Sequence, residues 1–226
     1  MKTFKVESLS WDTRFFGFPV GKISVESNSS LSEIKKSIDG FEVCYVFSAD
    51  PLENDAKIFQ DEKVIFQICI NEAKSITKNP IVFGFQEDFE RLVPLALASG
   101  EFSRFRLDPK FAFFFERLYT EWLAKSLKRV IADEVLVCQK ENRDAGFITV
   151  KRNTDNVEIG LIAIDKDFRG QGIGSSLINA AFNYTYFEGL RHLMVATQRR
   201  NKGAINFYKK NGFTEVGSIF VYHLWK

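Results

Sequence analysis

The sequence predicts an α/β fold built on a mixed β-sheet, and three observations lead to it. Short apolar runs of strand length alternate with segments of helical spacing along the chain. A glycine-rich turn joins the apolar run Glu158–Ile164 directly to an amphipathic helix at Ser175–Phe187. With 226 residues, of which 45% are hydrophobic, the chain can bury the core of one large domain or two small ones.

Residues 1–85 predict a small N-terminal α/β subdomain. Four apolar runs have the length and alternation of strands, and two polar segments between them have helical spacing. The strands are expected at Val20–Val25, Val43–Phe47, Val64–Ile70 and Ile81–Phe85, and the helices at Leu31–Ile38 and Asn54–Gln60.

Residues 86–226 predict the main domain. Apolar positions recur at helical spacing from Phe89 to Ala96, and Phe111–Lys128 predicts a long amphipathic helix. Pro109 stops a helix before it, so Phe102–Asp108 is interpreted as extended. The later strands are expected at Glu134–Gln139, Ala145–Lys151, Val157–Ile164, Arg191–Thr197 and Glu215–Leu224, with hairpin turns at Glu141–Asp144 and Asn153–Asn156 and a helix at Lys202–Asn211.

Composition excludes several classes of protein. The 31 basic and 29 acidic residues give a net charge of +2, which argues against a nucleic-acid partner. No apolar run reaches the length of about 18 residues that a membrane span needs. Because the N-terminus also lacks a long apolar segment, no membrane association and a cytoplasmic location are expected.

The three cysteines, Cys44, Cys69 and Cys138, lie far apart in apolar runs and are expected to be buried free thiols. The chain has only two histidines and no pair of cysteines at metal-binding spacing. No metal site is therefore expected, and a reducing compartment fits the cysteine pattern.

The glycine-rich turn Asp165–Gly174 is the most informative segment. A strand, a glycine turn and a helix aim several backbone N–H groups and the positive end of a helix at one point, which favours phosphate. The glycine spacing differs from the dinucleotide fingerprint, and no Gly-Lys-Ser/Thr follows as in a P-loop. On this segment alone, an ordinary glycine-rich turn is the alternative.

The run Phe168-Arg-Gly-Gln-Gly-Ile-Gly174 after an apolar strand resembles the coenzyme-A signature of the GNAT superfamily of N-acetyltransferases. This resemblance implies the acyl-CoA N-acyltransferase fold and acetyl-CoA as co-substrate. It further implies that the pyrophosphate binds the turn and that the preceding strand's backbone binds the pantetheine and the acetyl carbonyl. The implied residues are Leu161, Ile162, Ile164, Arg169, Gly170, Gln171, Gly172, Ile173, Gly174 and Ser175.

A second segment, Asn201–Phe213, resembles the superfamily's Asn-x-x-Ala-x-x-Phe-Tyr-x-x-x-Gly-Phe pattern. Asn201 is a good helix N-cap, and Ala204 and Tyr208 share one helix face. The resemblance adds Asn201 and Ala204 to the cofactor site and implies that Tyr208 protonates the departing thiolate. For Phe207, a core position is the preferred interpretation.

Glu158 is a candidate general base, because some members of the superfamily carry a catalytic glutamate at the matching strand position. Strand parity places its side chain on the face of Gly160 and Ile162. The alternative is a solvated carboxylate, in which case water relays the proton from the amine.

Arg104 and Arg106 are candidate substrate-binding residues. On an extended segment they share a face, and two guanidinium groups suit a diphosphate. Together with Leu9–Gly17, Tyr119–Trp122 and Val195–Gln198, this segment resembles a branch of the superfamily that acetylates a dTDP-linked 4-amino-4,6-dideoxygalactose. A nucleotide-linked amino sugar is therefore the expected small-molecule substrate.

Other functions stay open at this stage. The acceptor could be another amine, such as a protein N-terminus, a polyamine or an aminoglycoside, and the chain could instead be a non-catalytic acyl-CoA-binding module. The last strand in this fold class often pairs across a two-fold axis, which leaves monomer and homodimer open.

Overall fold

A computed structural model of the chain describes residues 4–26, 29–53, 58–73 and 79–226. The chain forms two compact units: Met1–Val64 with Gln198–Arg200 and Gly217–Lys226, and Ile65–Thr197 with Asn201–Val216. This grouping differs from a division at residue 85, because the C-terminal residues pack with the N-terminal ones. The division into a small N-terminal subdomain, 1–85, and a main domain, 86–226, stays a prediction.

The helices and strands follow one another in the order that the apolar pattern predicts over most of the chain. The strands are β1 Glu7–Ser8, β2 Val20–Val25, β3 Val43–Ser48, β4 Phe59–Cys69, β5 Ile81–Phe83, β6 Glu134–Lys140, β7 Arg143–Arg152, β8 Val157–Ile164, β9 His192–Gln198 and β10 Thr214–Trp225. The α-helices are α1 Ser10–Phe16, α2 Leu31–Lys35, α3 Phe89–Ser99, α4 Arg104–Leu107, α5 Phe115–Leu127, α6 Ile173–Phe187 and α7 Lys202–Lys210.

The first unit contains the strand order β1-β2-β3-β10, with the first residues of β4 beside β10. Strands β2 and β3 are parallel, whereas β10 runs antiparallel to β3. Its core joins one face of this sheet to α2, through Ile23, Ile34, Val46 and Tyr222. The hydroxyl of buried Tyr222 accepts the N–H of Leu52 at 2.7 Å.

The second unit contains the strand order β4-β9-β8-β7-β6-β5. Strands β8 and β9 are parallel, and β5 to β8 form antiparallel neighbours. Helix α6 packs against β5 to β8, while α3 packs against β7, β8 and α5. The mixed sheet and its helices confirm the predicted fold class.

Both predicted hairpins in the second unit are confirmed. Glu141 and Asn142 have φ values of 53° and 58° and form the turn between β6 and β7. The β7–β8 connection is closed by the N–H of Asn153, which donates to the carbonyl of Asn156 at 2.8 Å. Left-handed pairs suit a two-residue hairpin because their twist matches that of the strands.

Three expectations from the sequence need correction. The helix expected at Asn54–Gln60 is wrong for Phe59 and Gln60, which begin β4, and its first four residues lie outside the described ones. The segment taken as extended forms α4, because Ser103 Oγ caps it by accepting the N–H of Arg106 at 3.2 Å. Helix α1 was missed.

The cysteines differ in their environment. Cys44 and Cys138 are buried free thiols as expected, and burial raises the pKa of Cys44 to about 12 and also raises the pKa of Cys138. Cys69 is exposed, which corrects the expectation of a third buried thiol. It is the last residue of β4, where the strand leaves its buried stretch.

In the described part of the chain, no helix has both the length and the apolar character needed to cross a membrane.

Candidate functional site

Strands β8 and β9 separate partway along their length. They pair in parallel only where Val157–Ile159 lies beside Leu193–Val195. Beyond Ile159, β8 continues to pair with β7 up to Ile164 but no longer pairs with β9. The backbone of the second half of β8 therefore borders an opening on its β9 side.

A β-bulge lies in β8 where this opening begins. Two residues of β8, Gly160 and Leu161, oppose a single residue of β7, Thr149. The N–H of Leu161 donates to Thr149 Oγ1 at 2.8 Å. The N–H of Leu161 is thus directed at β7, which corrects the expectation that this amide serves the pantetheine.

The backbone groups of Ile162 and Ile164 point into the opening. The N–H of Asp165 donates to the carbonyl of Ala145 at 2.9 Å, which marks a hydrogen-bonded pair between β7 and β8. Because such pairs alternate with non-hydrogen-bonded ones, Ile164 and Ile162 turn their N–H and C=O groups away from β7. That these backbone groups bind the pantetheine or the acetyl carbonyl stays a prediction.

The glycine-rich turn follows immediately and opens α6. Gly170 and Gly172 have φ values of 76° and 82°, in the left-handed region that glycine adopts without strain. Gly172 is the N-cap of the 15-residue helix α6, so the free N–H groups at this end face the turn. Ile173 is buried, whereas Arg169 and Ser175 are exposed.

Side chains outside the predicted motif hold the turn in place. Gln171 accepts a hydrogen bond from Lys140 Nζ and donates to the carbonyl of Asp167 at 3.1 Å. Arg143 Nη2 lies 3.1 Å from both Asp165 and Asp167. No sequence motif indicates Lys140 or Arg143, because they reach the turn from β6 and from the start of β7.

Gly174 brings the end of β8, the start of α6 and helix α7 together. A Cβ atom at this position would lie 2.7 Å from Phe207 Cε2 and 3.3 Å from Ile164 Cδ1. The absent side chain therefore makes room for the Phe207 ring. Phe207 is partly buried, which agrees with its interpretation as a packing residue.

Replacing Gly174 with alanine is expected to destabilise the protein by about 1 kcal/mol, because crowding of Phe207 outweighs the gain in helix propensity. Urea unfolding would measure the change. Gly203→Ala is the matched control: Gly203 is also the second residue of its helix, but its nearest neighbour would be 3.7 Å away. Equal stability of both variants would contradict this packing role.

The N-cap predicted for α7 is confirmed. Asn201 Oδ1 accepts the N–H of Ala204 at 3.0 Å, which satisfies one of the free amides at the helix start. This contact gives Asn201 and Ala204 a structural role. Whether they also contact a cofactor stays a prediction.

Tyr208 is buried in an aromatic cluster. Its ring lies 5.8 Å from Phe66, 5.4 Å from Phe207 and 5.8 Å from Phe213, measured between ring centroids. The side chain is 3% exposed, and burial raises the pKa of its phenol well above the ordinary value. Its hydroxyl has no hydrogen-bond partner among the described residues, and the raised pKa keeps the phenol protonated.

Glu158 does not share a face of β8 with Ile162. It pairs with Lys151, whereas Ile162 pairs with Ile148, and these partners are three residues apart in β7. Because cross-strand partners lie on the same face, Glu158 and Ile162 lie on opposite faces. The bulge reverses the parity on which the sequence argument relied. Glu158 is exposed.

Arg104 and Arg106 do not form the shared face that an extended segment would give. Both lie in α4, where residues two apart point about 200° from each other. The Arg104 guanidinium lies 4.6 Å from the Phe105 ring centroid, and that of Arg106 lies 5.1 Å from the Phe115 ring centroid. Joint binding of one diphosphate by both is therefore not supported.

Among the described residues, no group of three or more His, Cys, Asp or Glu side chains could hold a metal ion.

Comparison with known proteins identifies the domain that contains this site. Residues 132–215 match the family described as Acetyltransferase (GNAT) domain. The matched range includes the opening beside β8, the glycine turn and α7. It leaves the N-terminal residues and α3 to α5 unmatched.

Two relatives cover different shares of the chain. An uncharacterised N-acetyltransferase of Methanocaldococcus jannaschii is 36% identical over 107 residues, which is 44% of this chain and 47% of that protein. The dTDP-fucosamine acetyltransferase of Escherichia coli is 24% identical over 218 residues, which is 92% of each chain. The chain thus spans about half of the archaeal relative and almost all of the bacterial one.

Among solved structures, the PaiA N-acetyltransferase of Thermoplasma acidophilum in complex with coenzyme A is similar to this chain, with a TM-score of 0.53 and 21% identity. The likeness covers 66% of this chain and all of that one. At this identity it shows a common fold.

Proposed function

We propose that the chain transfers the acetyl group of acetyl-CoA to the amino group of a nucleotide-linked deoxyamino sugar, on the premise that residues 132–215 form a GNAT acetyltransferase domain. One observation carries the proposal. The N–H groups of Ile162 and Ile164 face the opening beside β8, and the glycine turn follows directly after this strand. A thioester with a diphosphate at its other end fits this arrangement.

The glycine turn fits the pyrophosphate of coenzyme A. The left-handed glycines Gly170 and Gly172 have no heavy atom closer than 3.8 Å to an added Cβ, so the backbone is approachable. The N–H groups at the start of α6 and its positive end favour a dianionic group. A structurally similar acetyltransferase in complex with coenzyme A supports the same ligand here.

The backbone of β8 would orient the acyl end. In this proposal the N–H of Ile162 donates to the thioester carbonyl, whose oxygen gains negative charge when the amine attacks. Backbone donors of this kind need no reorganisation, because the sheet already holds them. Ile164 lies nearer the turn and is the candidate partner of the pantetheine.

Tyr208 is the candidate general acid for the leaving thiolate. Burial keeps the phenol protonated, as this role requires, although a raised pKa also makes it a weaker donor. Its neighbour Phe207 packs against Gly174 in the turn, which supports a position of Tyr208 near the proposed cofactor site.

Glu158 is the candidate general base, and Arg104 and Arg106 are the candidate substrate contacts. Glu158 is exposed on the face of β8 opposite Ile162, so it can act only on an amine that enters from that face. Otherwise water takes the proton from the amine. Arg104 and Arg106 are proposed as separate contacts to an anionic substrate, because they point in different directions.

The nucleotide sugar is proposed because the relative that aligns with 92% of this chain is a dTDP-fucosamine acetyltransferase. That alignment extends through α3 to α5, which the GNAT match does not include. These helices are therefore among the residues that the two proteins share beyond the acetyltransferase domain, together with most of the residues before them.

Mass spectrometry of products from acetyl-CoA and a library of 3-amino and 4-amino nucleotide sugars tests this proposal. We expect a product one acetyl group heavier, formed with a kcat/KM about tenfold or more above that for aminoglycosides, polyamines or N-terminal peptides. A preference for one of those amines would replace the substrate but keep the reaction. No product from any amine would instead favour an acyl-CoA-binding module.

A further inference from the structure

A single buried threonine supports the bulge that opens the site. Thr149 is 2% exposed, and its Oγ1 accepts the N–H of Leu161 at 2.8 Å. A bulge removes one backbone group from the regular ladder, and a buried N–H without a partner is strongly unfavourable. Thr149 supplies that partner from the neighbouring strand.

The bulge decides which amides face the opening. Upstream of it, the hydrogen-bonded pair of Asn153 and Asn156 sets the alternation, so that Val157 and Ile159 face β9. Continued without a bulge, this alternation would turn Leu161 toward the opening. The extra residue shifts the alternation by one, and Ile162 faces the opening instead.

Gly160 shows how closely the hydroxyl fits. A Cβ atom at Gly160 would lie 2.9 Å from Thr149 Oγ1, a distance that Cβ atoms do not tolerate. Glycine at this position therefore leaves the hydroxyl room to meet the N–H of Leu161. The hydrogen bond between Leu161 and Thr149 therefore depends on the hydroxyl of Thr149 and on the absence of a side chain at Gly160.

We propose that Thr149 is a positioning residue for acetyl transfer: its hydroxyl fixes the bulge and thereby directs the N–H of Ile162 at the thioester carbonyl. This inference rests on the proposed function of the opening. Thr149 contacts neither cofactor nor substrate in this scheme and acts only through the backbone of β8.

The test compares Thr149→Val, which keeps the shape but loses the acceptor, with Thr149→Ser, which keeps the acceptor. Thr149→Val is expected to lower kcat about 10- to 100-fold, because one oriented donor to the oxyanion is lost. The Kd for coenzyme A should change less than about threefold, since the glycine turn is untouched. Thr149→Ser should recover kcat to within about threefold of the unchanged protein.

Two further measurements keep the outcome decisive. Gly160→Ala disrupts the same hydrogen bond from the other strand and should lower kcat in the same way. Circular dichroism and thermal melting show whether each variant is folded. In NMR spectra, acetyl-CoA should shift the Ile162 amide proton downfield in the unchanged protein and in Thr149→Ser, but not in Thr149→Val.

Unchanged kcat in Thr149→Val, or a serine variant as impaired as the valine variant, would overturn the role of Thr149. If the unchanged protein binds acetyl-CoA but acetylates no amine, the proposed function fails. The role of Thr149 is then tested by whether Thr149→Val loses the Ile162 amide shift that acetyl-CoA causes in the unchanged protein. Absence of acetyl-CoA binding would overturn both.

Discussion

Tyr208→Phe is expected to lower kcat about 100-fold and to change the KM for acetyl-CoA less than about threefold. Removing a general acid typically costs two to four powers of ten in rate, because the leaving thiolate must then take its proton from water. The Tyr208 ring packs among Phe66, Phe207 and Phe213, so a phenylalanine ring fills the same space.

Stability provides a check on this interpretation. The Tyr208 hydroxyl has no hydrogen-bond partner among the described residues, so its removal should leave the free energy of unfolding nearly unchanged. Tyr222→Phe is the matched control, since its hydroxyl accepts the N–H of Leu52 at 2.7 Å. That variant should lose about 1–3 kcal/mol of stability and keep its kcat at temperatures well below unfolding.

Steady-state kinetics with saturating amine would separate the two variants. A Tyr208→Phe protein with unchanged kcat for every accepted amine would remove Tyr208 from the acid role. Loss of stability without loss of rate would make it a core residue instead.

Gly172→Glu is expected to weaken coenzyme-A binding about 100-fold or more. Gly172 has a φ of 82°, which costs a residue with a side chain about 1–2 kcal/mol, and it is the N-cap of α6. A carboxylate here would also repel the pyrophosphate at the helix end that favours an anion. Titration calorimetry with coenzyme A measures the loss.

Two companion variants divide this effect into its parts. Gly172→Ala keeps the backbone strain without the charge and should weaken binding about tenfold, which corresponds to about 1.4 kcal/mol. Gly189→Glu introduces the same charge at a left-handed glycine, with φ of 72°, just beyond the other end of α6. Its affinity for coenzyme A should stay within about threefold of the unchanged protein.

Retained affinity in Gly172→Glu would show that the turn does not hold the pyrophosphate. Equal losses in Gly172→Glu and Gly189→Glu would indicate a general effect of charge or folding. The first outcome would require another site for the cofactor, whereas the second would remove the affinity loss as support for the turn.

The parts of the site that were predicted correctly depend on residues close together in the chain. Asn201 caps α7 through an amide three residues away, and Gly172 ends a turn that begins at Asp165. Hydrogen bonds of this range are set by local spacing and residue type, so a motif identifies them. The hairpin of β6 and β7 was predictable for the same reason.

The parts that failed depend on contacts between distant segments. Parity placed Glu158 beside Ile162, but Thr149 stabilises a bulge between them from another strand. Arg104 and Arg106 lie in a short helix that Ser103 caps, whereas the nearby Pro109 indicated an extended segment. Lys140 and Arg143 lie about 20 to 30 residues from the turn that they support.

The amino-acid sequence by itself determined the class of chemistry: a glycine turn between a strand and a helix, and a capped helix carrying a tyrosine. Tertiary structure alone decided which strand amides face the opening, on which face Glu158 lies and how deeply Tyr208 is buried. The physical reason is that turns and helix ends are satisfied by neighbours in the chain, whereas strand register and burial are set by residues that meet only in the folded protein.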